Sequence, residues 1–293
     1  MLTYVFPGQG SQFKGMGKEL FDDFKTLSDV ADSVLGYSLR ELCVDDPQNQ
    51  LNKTQFTQPA IYVVSALSYL KCYEDSSRKA DYLAGHSLGE YNALFAAGAF
   101  DFETGLKLVK KRGELMGRAN SGGMAAVLGI SVQEINNILR DSNFINIDVA
   151  NFNSGTQTVL SGDLAEINAA AKVFERNKAR YIVLPVSAAF HSRYMNDAKK
   201  EFEAFLDNFT FCPMGAPVIS NVTARPHTSD SLKFYLGDQI TNSVRWLDTV
   251  YYLLDQGAFE FKEVGPGNVL TKLIDSIKLT HLSLDSELNR QVA

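Results

Sequence analysis

The sequence has little cysteine, no excess of basic residues and no long apolar run. Its three cysteines, Cys43, Cys72 and Cys212, are odd in number, widely spaced and without a C-x-x-C pair. This pattern excludes a disulfide framework and a thiolate metal site, and it indicates a reducing compartment. Lysine and arginine (28) are outnumbered by aspartate and glutamate (34), which gives a formal net charge of −6. We therefore expect no nucleic-acid partner that is bound by bulk charge.

Signals for export or for membrane insertion are also missing. The first residues, MLTYVFPGQGSQF, have no basic region followed by a long apolar stretch, so they do not resemble a secretory signal. The longest apolar-rich stretches, such as Ile61–Leu70, reach about half of the ~20 residues that a membrane-spanning helix needs. We expect a cytoplasmic protein with no membrane partner.

The composition is that of a globular protein, with 45% hydrophobic and 21% charged residues over 293 positions, enough for one large or two smaller domains. Leu2–Phe6 is predicted to be a buried strand that stops at Pro7-Gly8. Asp81–Gly85 is predicted to be a strand that leads into a helix at Leu88–Ala97. Strand, tight turn and helix form the unit of an α/β fold with a parallel sheet. Further predictions are a core helix at Gln58–Tyr69, strands at Pro217–Asn221 and Phe259–Val264, and a helix at Trp246–Gln256.

The middle of the chain has a different order of elements. After Gly122-Gly123 the pattern predicts strand, helix, strand, strand, helix and strand, which is the βαββαβ order of a ferredoxin-like unit. We expect residues 124–186 to form a small subdomain inserted into a larger α/β domain made of residues 1–123 and 187–293. The predicted elements are Met124–Ile130, Val132–Arg140, Ile145–Asn151, Thr156–Ser161, Leu164–Asn177 and Ala179–Pro185.

The segment Gly85-His86-Ser87-Leu88-Gly89 fits the pattern G-x-S-x-G, between a predicted strand and a predicted helix as that pattern requires. A sharp turn strains the serine backbone and exposes its Oγ atom, so the flanking positions must lack bulk. The start of the following helix presents free N–H groups to a developing oxyanion. Ser87 is therefore a candidate nucleophile, and the alternative is a serine that only caps a helix.

A serine nucleophile needs a base, and the chain has four histidines. His191 is the best candidate, because it follows a predicted strand on a loop where the chain leaves the inserted subdomain. His86 adjoins Ser87 and is expected to point away from its Oγ atom. His227 lies in a polar stretch that is predicted to be a solvent-exposed loop, and His281 is expected to be structural.

Arg112 lies among apolar residues on the helix predicted at Glu103–Met116. At about 100° per residue it falls between Val109 and Met116, and the positions three and four residues away carry no carboxylate. A buried guanidinium is costly unless it meets an anion. Either Arg112 pairs with a distant acid or extends to solvent, or it binds a carboxylate of the substrate.

A glycine-rich loop, Pro7-Gly8-Gln9-Gly10-Ser11-Gln12, follows the first predicted strand. Phe13 stands where a dinucleotide-binding loop has its third glycine, and the lysine of a P-loop is missing, so neither phosphate-binding loop is predicted. Such a loop can instead supply a second backbone N–H group to an oxyanion hole, with Gln9 or a neighbour as the donor.

Together these segments resemble the malonyl-CoA:acyl-carrier-protein transacylase family, the acyltransferases of fatty-acid and polyketide synthesis, over nearly the whole chain. The resemblance implies an α/β-hydrolase-like core with a parallel sheet and a ferredoxin-like subdomain. Within the family, the sequence is similar to the discrete, trans-acting acyltransferases of bacterial polyketide synthases. The motifs that carry the resemblance are PGQGSQ (7–12), QPA (58–60), GHSLGE (85–90), KRGELM (111–116), AFHS (189–192), VRW (244–246) and EVGPGNVL (263–270).

The resemblance implies a role for each matching residue at the reacting centre. Ser87 is acylated, and His191 activates it. The histidine is oriented by a backbone carbonyl, expected near Gln239, instead of by an aspartate. The backbone N–H groups of Gln9 and Leu88 form the oxyanion hole.

Substrate contacts are implied in the same way. Arg112 binds the free carboxylate of the malonyl group. The Phe190 ring leaves little room for an α-methyl branch and so favours malonyl, although Ala188 stands where the usual polyketide motif, HAFH, begins with histidine. The remaining residues expected at the substrate are Asn153, His86 and Gln239.

The implied activity is transfer of a malonyl group from coenzyme A to the phosphopantetheine thiol of an acyl carrier protein, through malonyl-serine. No residues have metal-ligand spacing, so neither a metal nor another bound cofactor is expected. The carrier protein is expected to be supplied in trans, since no carrier or ketosynthase domain is attached. The alternatives are an acyl hydrolase of the same fold, which Arg112 disfavours, and a non-catalytic module that docks a carrier protein.

Overall fold

The structure, a computed structural model, describes residues 1–76, 78–119, 121–186 and 188–291, with side chains as far as residue 281. Its strands form one parallel and one antiparallel sheet with helices packed against them, so the predicted α/β class is confirmed. The strands are β1 (Leu2–Phe6), β2 (Tyr82–Gly85), β3 (Gly123–Leu128), β4 (Ile147–Ser154), β5 (Gln157–Gly162), β6 (Arg180–Val183), β7 (Val218–Ile219) and β8 (Glu260–Glu263). The helices are α1 (Lys18–Asp23), α2 (Lys25–Leu35), α3 (Leu39–Val44), α4 (Thr54–Ser76), α5 (Gly89–Ala96), α6 (Phe102–Arg118), α7 (Val132–Asp141), α8 (Leu164–Arg176), α9 (Asn196–Leu206), α10 (Leu232–Asp238), α11 (Trp246–Asp255) and α12 (Val269–Gln291).

The parallel sheet has the strand order β7-β2-β1-β8. All five residues of β1 are buried, as is usual for a central strand covered on both faces. β1 and β2 pair in register, with Phe6 opposite Gly85. The loops that leave these two residues are the glycine-rich loop and the turn at Ser87, so both lie at the same carboxyl edge of the sheet.

The antiparallel sheet has the order β4-β5-β3-β6 and is built from the βαββαβ sequence of elements that was expected between residues 124 and 186. Helix α7 begins with a capping box between Ser131 and Glu134. The division into two domains and the likeness of the larger part to an α/β-hydrolase stay predictions. Residue 187, at one predicted boundary, and residues 292–293 lie outside the described residues.

Two packed helices, α4 and α6, support the candidate site. Residues 57–67 of α4 are all buried, so the helix shows no amphipathic pattern, and it extends beyond the predicted Gln58–Tyr69 at both ends. Helix α6 is amphipathic and begins at an Asp101 cap. Helix α12 is an element that the sequence reasoning misses. Among the described helices, none is both long and apolar enough to cross a membrane.

The segment between α10 and α11 attaches to the antiparallel sheet beside the site. Val244 forms a parallel bridge with Asn151 of β4. Its N–H donates to the carbonyl of Ala150 at 2.8 Å, and its carbonyl accepts from the N–H of Phe152 at 2.9 Å. The cleft that contains the candidate site is lined by the loops that follow β1 and β2 and by residues of β3, β4 and β5.

Candidate active site

The turn at Ser87 joins β2 to α5. Ser87 has a φ of 51°, a left-handed conformation that costs a non-glycine residue about 1–2 kcal/mol. A Cβ atom at Gly85 would lie 1.9 Å from the carbonyl carbon of Gly89, and one at Gly89 would lie 2.0 Å from the carbonyl oxygen of Phe6. Both glycines are therefore required for the close approach of strand and helix that exposes Ser87 in the cleft.

We expect Gly89→Ala to lower the free energy of unfolding by about 3 kcal/mol or more, because rigid backbone blocks the added methyl group. Urea unfolding followed by circular dichroism measures this change. Gly215→Ala is the control, since a Cβ atom there meets no atom nearer than 3.6 Å, and it should change the free energy by less than about 1 kcal/mol. Similar losses in the two variants would contradict the packing argument.

Ser87 and His191 meet in the cleft although 104 positions separate them, with Ser87 Oγ 2.7 Å from His191 Nε2. On the other side of the ring, Nδ1 lies 2.8 Å from the backbone carbonyl oxygen of Gln239 and 3.2 Å from that of Asn242. These two acceptors hold the ring proton on Nδ1, so Nε2 is left to accept the serine hydroxyl proton. A carbonyl at Gln239 is the orienting group that the family resemblance implies.

The imidazole of His191 is buried, and it lies near a positive charge. Burial and the Arg112 guanidinium lower the pKa of His191 to about 3. The ring is therefore neutral around pH 7 and available as a proton acceptor.

We expect the rate of Ser87 acylation to be constant between about pH 5 and pH 8, whereas an ordinary histidine base would lose activity as the pH falls through about 6.5. Rapid-quench measurement of acyl-enzyme formation across this range tests the expectation. The lowered pKa also means that the unfolded chain binds more protons, so His191 lowers the stability of the fold as the pH falls from about 6.5 toward 3. Circular dichroism at each pH is therefore the control. Inactivation of folded protein with a midpoint near pH 6.5 would contradict the prediction.

Arg112 lies on the buried face of α6 and is 1% exposed. Its Nη1 group donates to Gln58 Oε1 at 2.7 Å, and its Nη2 group donates to Gln239 Oε1 at 2.9 Å and to Ser87 Oγ at 3.1 Å. None of the ion pairs in the described part of the chain includes Arg112. Neither a distant acid nor solvent therefore accounts for the guanidinium, and its partners are neutral groups beside the candidate nucleophile.

Leu88 and Gln9 line the cleft together with Ser87. The first turn of α5 begins one residue later, where the Gly89 N–H donates to the His86 carbonyl at 2.9 Å. Within the described ranges, neither the Leu88 nor the Gln9 N–H has a hydrogen-bond acceptor. Both are therefore available to a ligand oxygen.

His86 faces away from Ser87, toward the antiparallel sheet. Its Nε2 atom lies 2.9 Å from Asn153 Oδ1 on β4, and its ring lies 5.7 Å from that of Trp246. Burial lowers the pKa of His86, so the ring is a neutral link between the serine turn and β4. Phe190, next to His191 in the chain, lines the cleft together with His86 and Asn153.

Gln239 is not among the residues that line the cleft, and its contact with substrate stays a prediction. It is fully buried behind Arg112 and Ser87, and hydrogen bonds to these two residues occupy both ends of its amide. Other apolar residues that line the cleft come from several helices, strands and loops: Met116, Met124, Val159, Leu184, Val186, Leu270 and Leu273.

The prediction of a solvent-exposed His227 is wrong. Its side chain is fully buried, with Nε2 2.8 Å from Glu90 Oε1. After β7 the chain turns back, Pro226 pairs with Ile219, and the His227 N–H donates to the carbonyl of Val218 at 2.8 Å. This turn places the His227 ring against α5, where it meets Glu90. The polar composition of the segment does not predict that the ring is buried.

Sequence reasoning also fails to single out Gln58, Glu90 and Asn221. Asn221 follows β7, and its Oδ1 atom accepts from the Ser87 N–H at 2.6 Å. Gln58 and Glu90 are among the few polar residues in mostly apolar buried stretches of their helices, and that contrast is a signal by which they could be found. No comparable signal marks Asn221.

A strained serine, a neutral buried histidine and free N–H groups at a helix start are typical of enzymes that transfer acyl groups through a serine. The model of the acyl transferase domain family matches residues 3–279, and the chain belongs to this family.

Curated relatives and solved structures agree with this assignment. The "Polyketide biosynthesis malonyl CoA-acyl carrier protein transacylase PksC" of Bacillus subtilis is 58% identical over 280 residues, which cover 95% of this chain and 97% of that protein. The crystal structure of malonyl CoA-acyl carrier protein transacylase from Burkholderia pseudomallei superposes with a TM-score of 0.93 at 49% identity, over 95% of this chain and 98% of that one. A malonyl-transacylase in complex with its type II polyketide synthase acyl-carrier protein has a TM-score of 0.89 at 33% identity, over 94% and 92% of the two chains.

Proposed function

We propose that the protein transfers malonyl groups from coenzyme A to an acyl carrier protein in polyketide biosynthesis. The observation that carries the proposal is the Arg112 guanidinium, which is buried among neutral partners with Nη2 3.1 Å from Ser87 Oγ. A malonyl thioester positioned for attack by Ser87 has its free carboxylate one methylene away from the reacting carbonyl. The guanidinium can bind that carboxylate, whereas a neutral acyl group offers it no partner.

In the first half of the reaction, Ser87 Oγ attacks the thioester carbonyl carbon while His191 Nε2 takes the hydroxyl proton. The N–H groups of Gln9 and Leu88 bind the oxyanion of the tetrahedral intermediate. The carbon–sulfur bond then breaks, His191 gives its proton to the leaving sulfur, and coenzyme A departs as a thiol. The product is a malonyl ester of Ser87 whose carboxylate is bound by Arg112.

In the second half, the phosphopantetheine thiol of the carrier protein gives its proton to His191, and its sulfur attacks the ester carbonyl. The carbon–oxygen bond breaks, and Ser87 recovers the proton from His191. This is a ping-pong transfer. It uses malonyl-CoA as a substrate and calls for no bound metal or other cofactor.

The cleft and the relatives support the proposed acyl and carrier specificities. Phe190 and Asn153 both line the cleft, and the ring of Phe190, next to His191 in the chain, leaves little room for an α-branched acyl group. The carrier is supplied in trans, because PksC is named a carrier-protein transacylase of polyketide biosynthesis and a related malonyl-transacylase binds a separate carrier protein.

The proposed compartment is the cytoplasm. Cys43, Cys72 and Cys212 are all free thiols, as is usual for proteins of a reducing environment.

Intact-protein mass spectrometry after incubation with malonyl-CoA, with and without a phosphopantetheinylated carrier protein, tests the function. We expect a malonyl adduct that persists without the carrier and moves to the carrier when it is added. Rapid release of free malonate without a carrier would indicate an acyl hydrolase. Absence of any adduct would indicate a non-catalytic module that docks the carrier.

A further inference from the structure

Glu90, the last residue of the GHSLGE segment, is fully buried on α5. Its Oε2 atom accepts from the backbone N–H of Asn221 at 2.7 Å and from the side-chain amide of Gln239 at 3.1 Å. Its Oε1 atom lies 2.8 Å from His227 Nε2. Three nitrogens around one carboxylate offset the loss of its hydration, yet the proposed reaction makes no direct use of this group.

The Gln239 side chain stands between this carboxylate and the Arg112 guanidinium. Its Nε2 group donates to Glu90 Oε2 at 3.1 Å and to the Ser87 carbonyl at 3.0 Å, and its Oε1 atom accepts from Arg112 Nη2 at 2.9 Å. An amide has one donor end and one acceptor end, and rotation by about 180° exchanges them. With the Glu90 carboxylate and the Ser87 carbonyl on one side and a cation on the other, a single orientation satisfies all three neighbours, and the charge of Glu90 strengthens the preference for it.

The same carboxylate also reaches the nucleophile turn through Asn221. The Asn221 backbone N–H is held by Glu90, while its side chain accepts from the Ser87 N–H at 2.6 Å and donates to the Gly85 carbonyl at 2.6 Å. Glu90 is therefore linked by one intervening residue both to the guanidinium and to the strained backbone of Ser87.

We propose that Glu90 is a positioning residue. Through the Gln239 amide, it holds the Arg112 guanidinium in the orientation that binds the acyl carboxylate. The inference rests on the proposed role of Arg112. A direct salt bridge from Glu90 would occupy the guanidinium. The interposed amide instead keeps the buried anion close enough to act on the buried cation and leaves the cation's charge for the substrate.

Single-turnover acylation by malonyl-CoA and by acetyl-CoA, followed by intact-protein mass spectrometry, tests the proposal. Glu90→Gln removes the negative charge and puts a donor in place of one of the two carboxylate oxygens, so the preference of the Gln239 amide for one orientation weakens. We expect the ratio of the malonyl rate to the acetyl rate to fall by about tenfold or more. The ratio is taken within one preparation, so it does not depend on the fraction of protein that is folded.

Two further variants separate positioning from mere support of the fold. Tyr62→Phe removes a buried hydrogen bond to the Phe102 carbonyl, 3.2 Å long, and should keep the wild-type ratio. Glu90→Asp keeps the charge on a shorter side chain, so the ratio should fall less than in Glu90→Gln. If Glu90→Gln does not fold, Glu90→Asp takes its place in the test. A ratio within twofold of wild type in the Glu90 variants would overturn the positioning role. An equal fall in Tyr62→Phe would do so as well.

Arg112→Ala distinguishes this inference from the function on which it rests. If the wild type has no malonyl preference, or if Arg112→Ala leaves that preference unchanged, carboxylate recognition by Arg112 fails. If Arg112→Ala removes the preference and the Glu90 variants keep it, the positioning role alone fails.

A double-mutant cycle tests whether Glu90 acts through Gln239. Gln239→Leu removes the side-chain amide while the backbone carbonyl that faces His191 stays in place. We expect Glu90→Gln combined with Gln239→Leu to have the same ratio as Gln239→Leu alone. Without the Gln239 amide, Glu90→Gln has no side-chain amide whose orientation it could change. A further fall in the double variant would contradict action through Gln239.

Discussion

Replacing Ser87 by alanine is expected to abolish the malonyl adduct and to reduce transfer to the carrier protein by a factor on the order of 10⁴ or more. The hydroxyl supplies the bond that carries the acyl group between the two halves of the reaction, and in the described residues it is the hydroxyl within hydrogen-bond distance of His191 Nε2. Intact-protein mass spectrometry after incubation with malonyl-CoA measures the adduct directly.

Ser65→Ala is the matched control for this substitution. Ser65 is buried like the nucleophile turn, and its hydroxyl has no hydrogen-bond partner in the part of the chain that the structure describes. Its loss should leave the adduct yield at the wild-type level. An undiminished adduct in Ser87→Ala would instead show that another side chain carries the malonyl group.

Replacing Arg112 by alanine is expected to slow acylation by malonyl-CoA by on the order of 10²-fold, equivalent to a few kcal/mol of lost charge-assisted bonding. Acylation by acetyl-CoA should fall much less, because the acetyl group carries no carboxylate for the guanidinium to bind. The two single-turnover rate constants, measured side by side on one preparation, check the prediction.

Arg118→Ala serves as the control on the same helix. Arg118 is exposed at the end of α6 and pairs with Glu201 at 3.3 Å, so its removal costs a surface ion pair of small effect. Both acylation rates should stay near the wild-type values. Equal losses for the two thioesters in Arg112→Ala would remove Arg112 from carboxylate recognition.

Much of the fold could be predicted, because its elements have strong local patterns. Leu2–Phe6 is a strand over the predicted residues, and the βαββαβ order of the middle segment is found with boundaries that differ by at most three residues. The turn at Ser87 could be predicted from its glycines, since close packing leaves no space for a Cβ atom at Gly85 or Gly89. These features depend on residues that are close together in the sequence, so they can be predicted from the sequence alone.

The parts of the site that depend on distant neighbours could not be predicted in the same way. The residues themselves could be named from family motifs, but the contact of His191 with Ser87 depends on how the two sheets meet. The burial of His227 arises from a return of the chain along β7, and its partner Glu90 lies 137 positions away. The side-chain bonds of Gln239 likewise depend on residues from several separate elements.

The His191 ring is oriented by a backbone carbonyl and not by a carboxylate. This difference affects how fast water hydrolyses the malonyl ester of Ser87. A carboxylate would stabilise the protonated ring, whereas a carbonyl carries no charge, and burial keeps the pKa of His191 below its ordinary value. Of the two groups that could take the malonyl group from Ser87, an ordinary thiol has a pKa of about 8.5 and bulk water one of about 15.7, so the same base assists the thiol far more readily than water. We therefore expect malonyl-serine to be long-lived in the absence of a carrier, so that activated malonate is conserved until a pantetheine arm arrives.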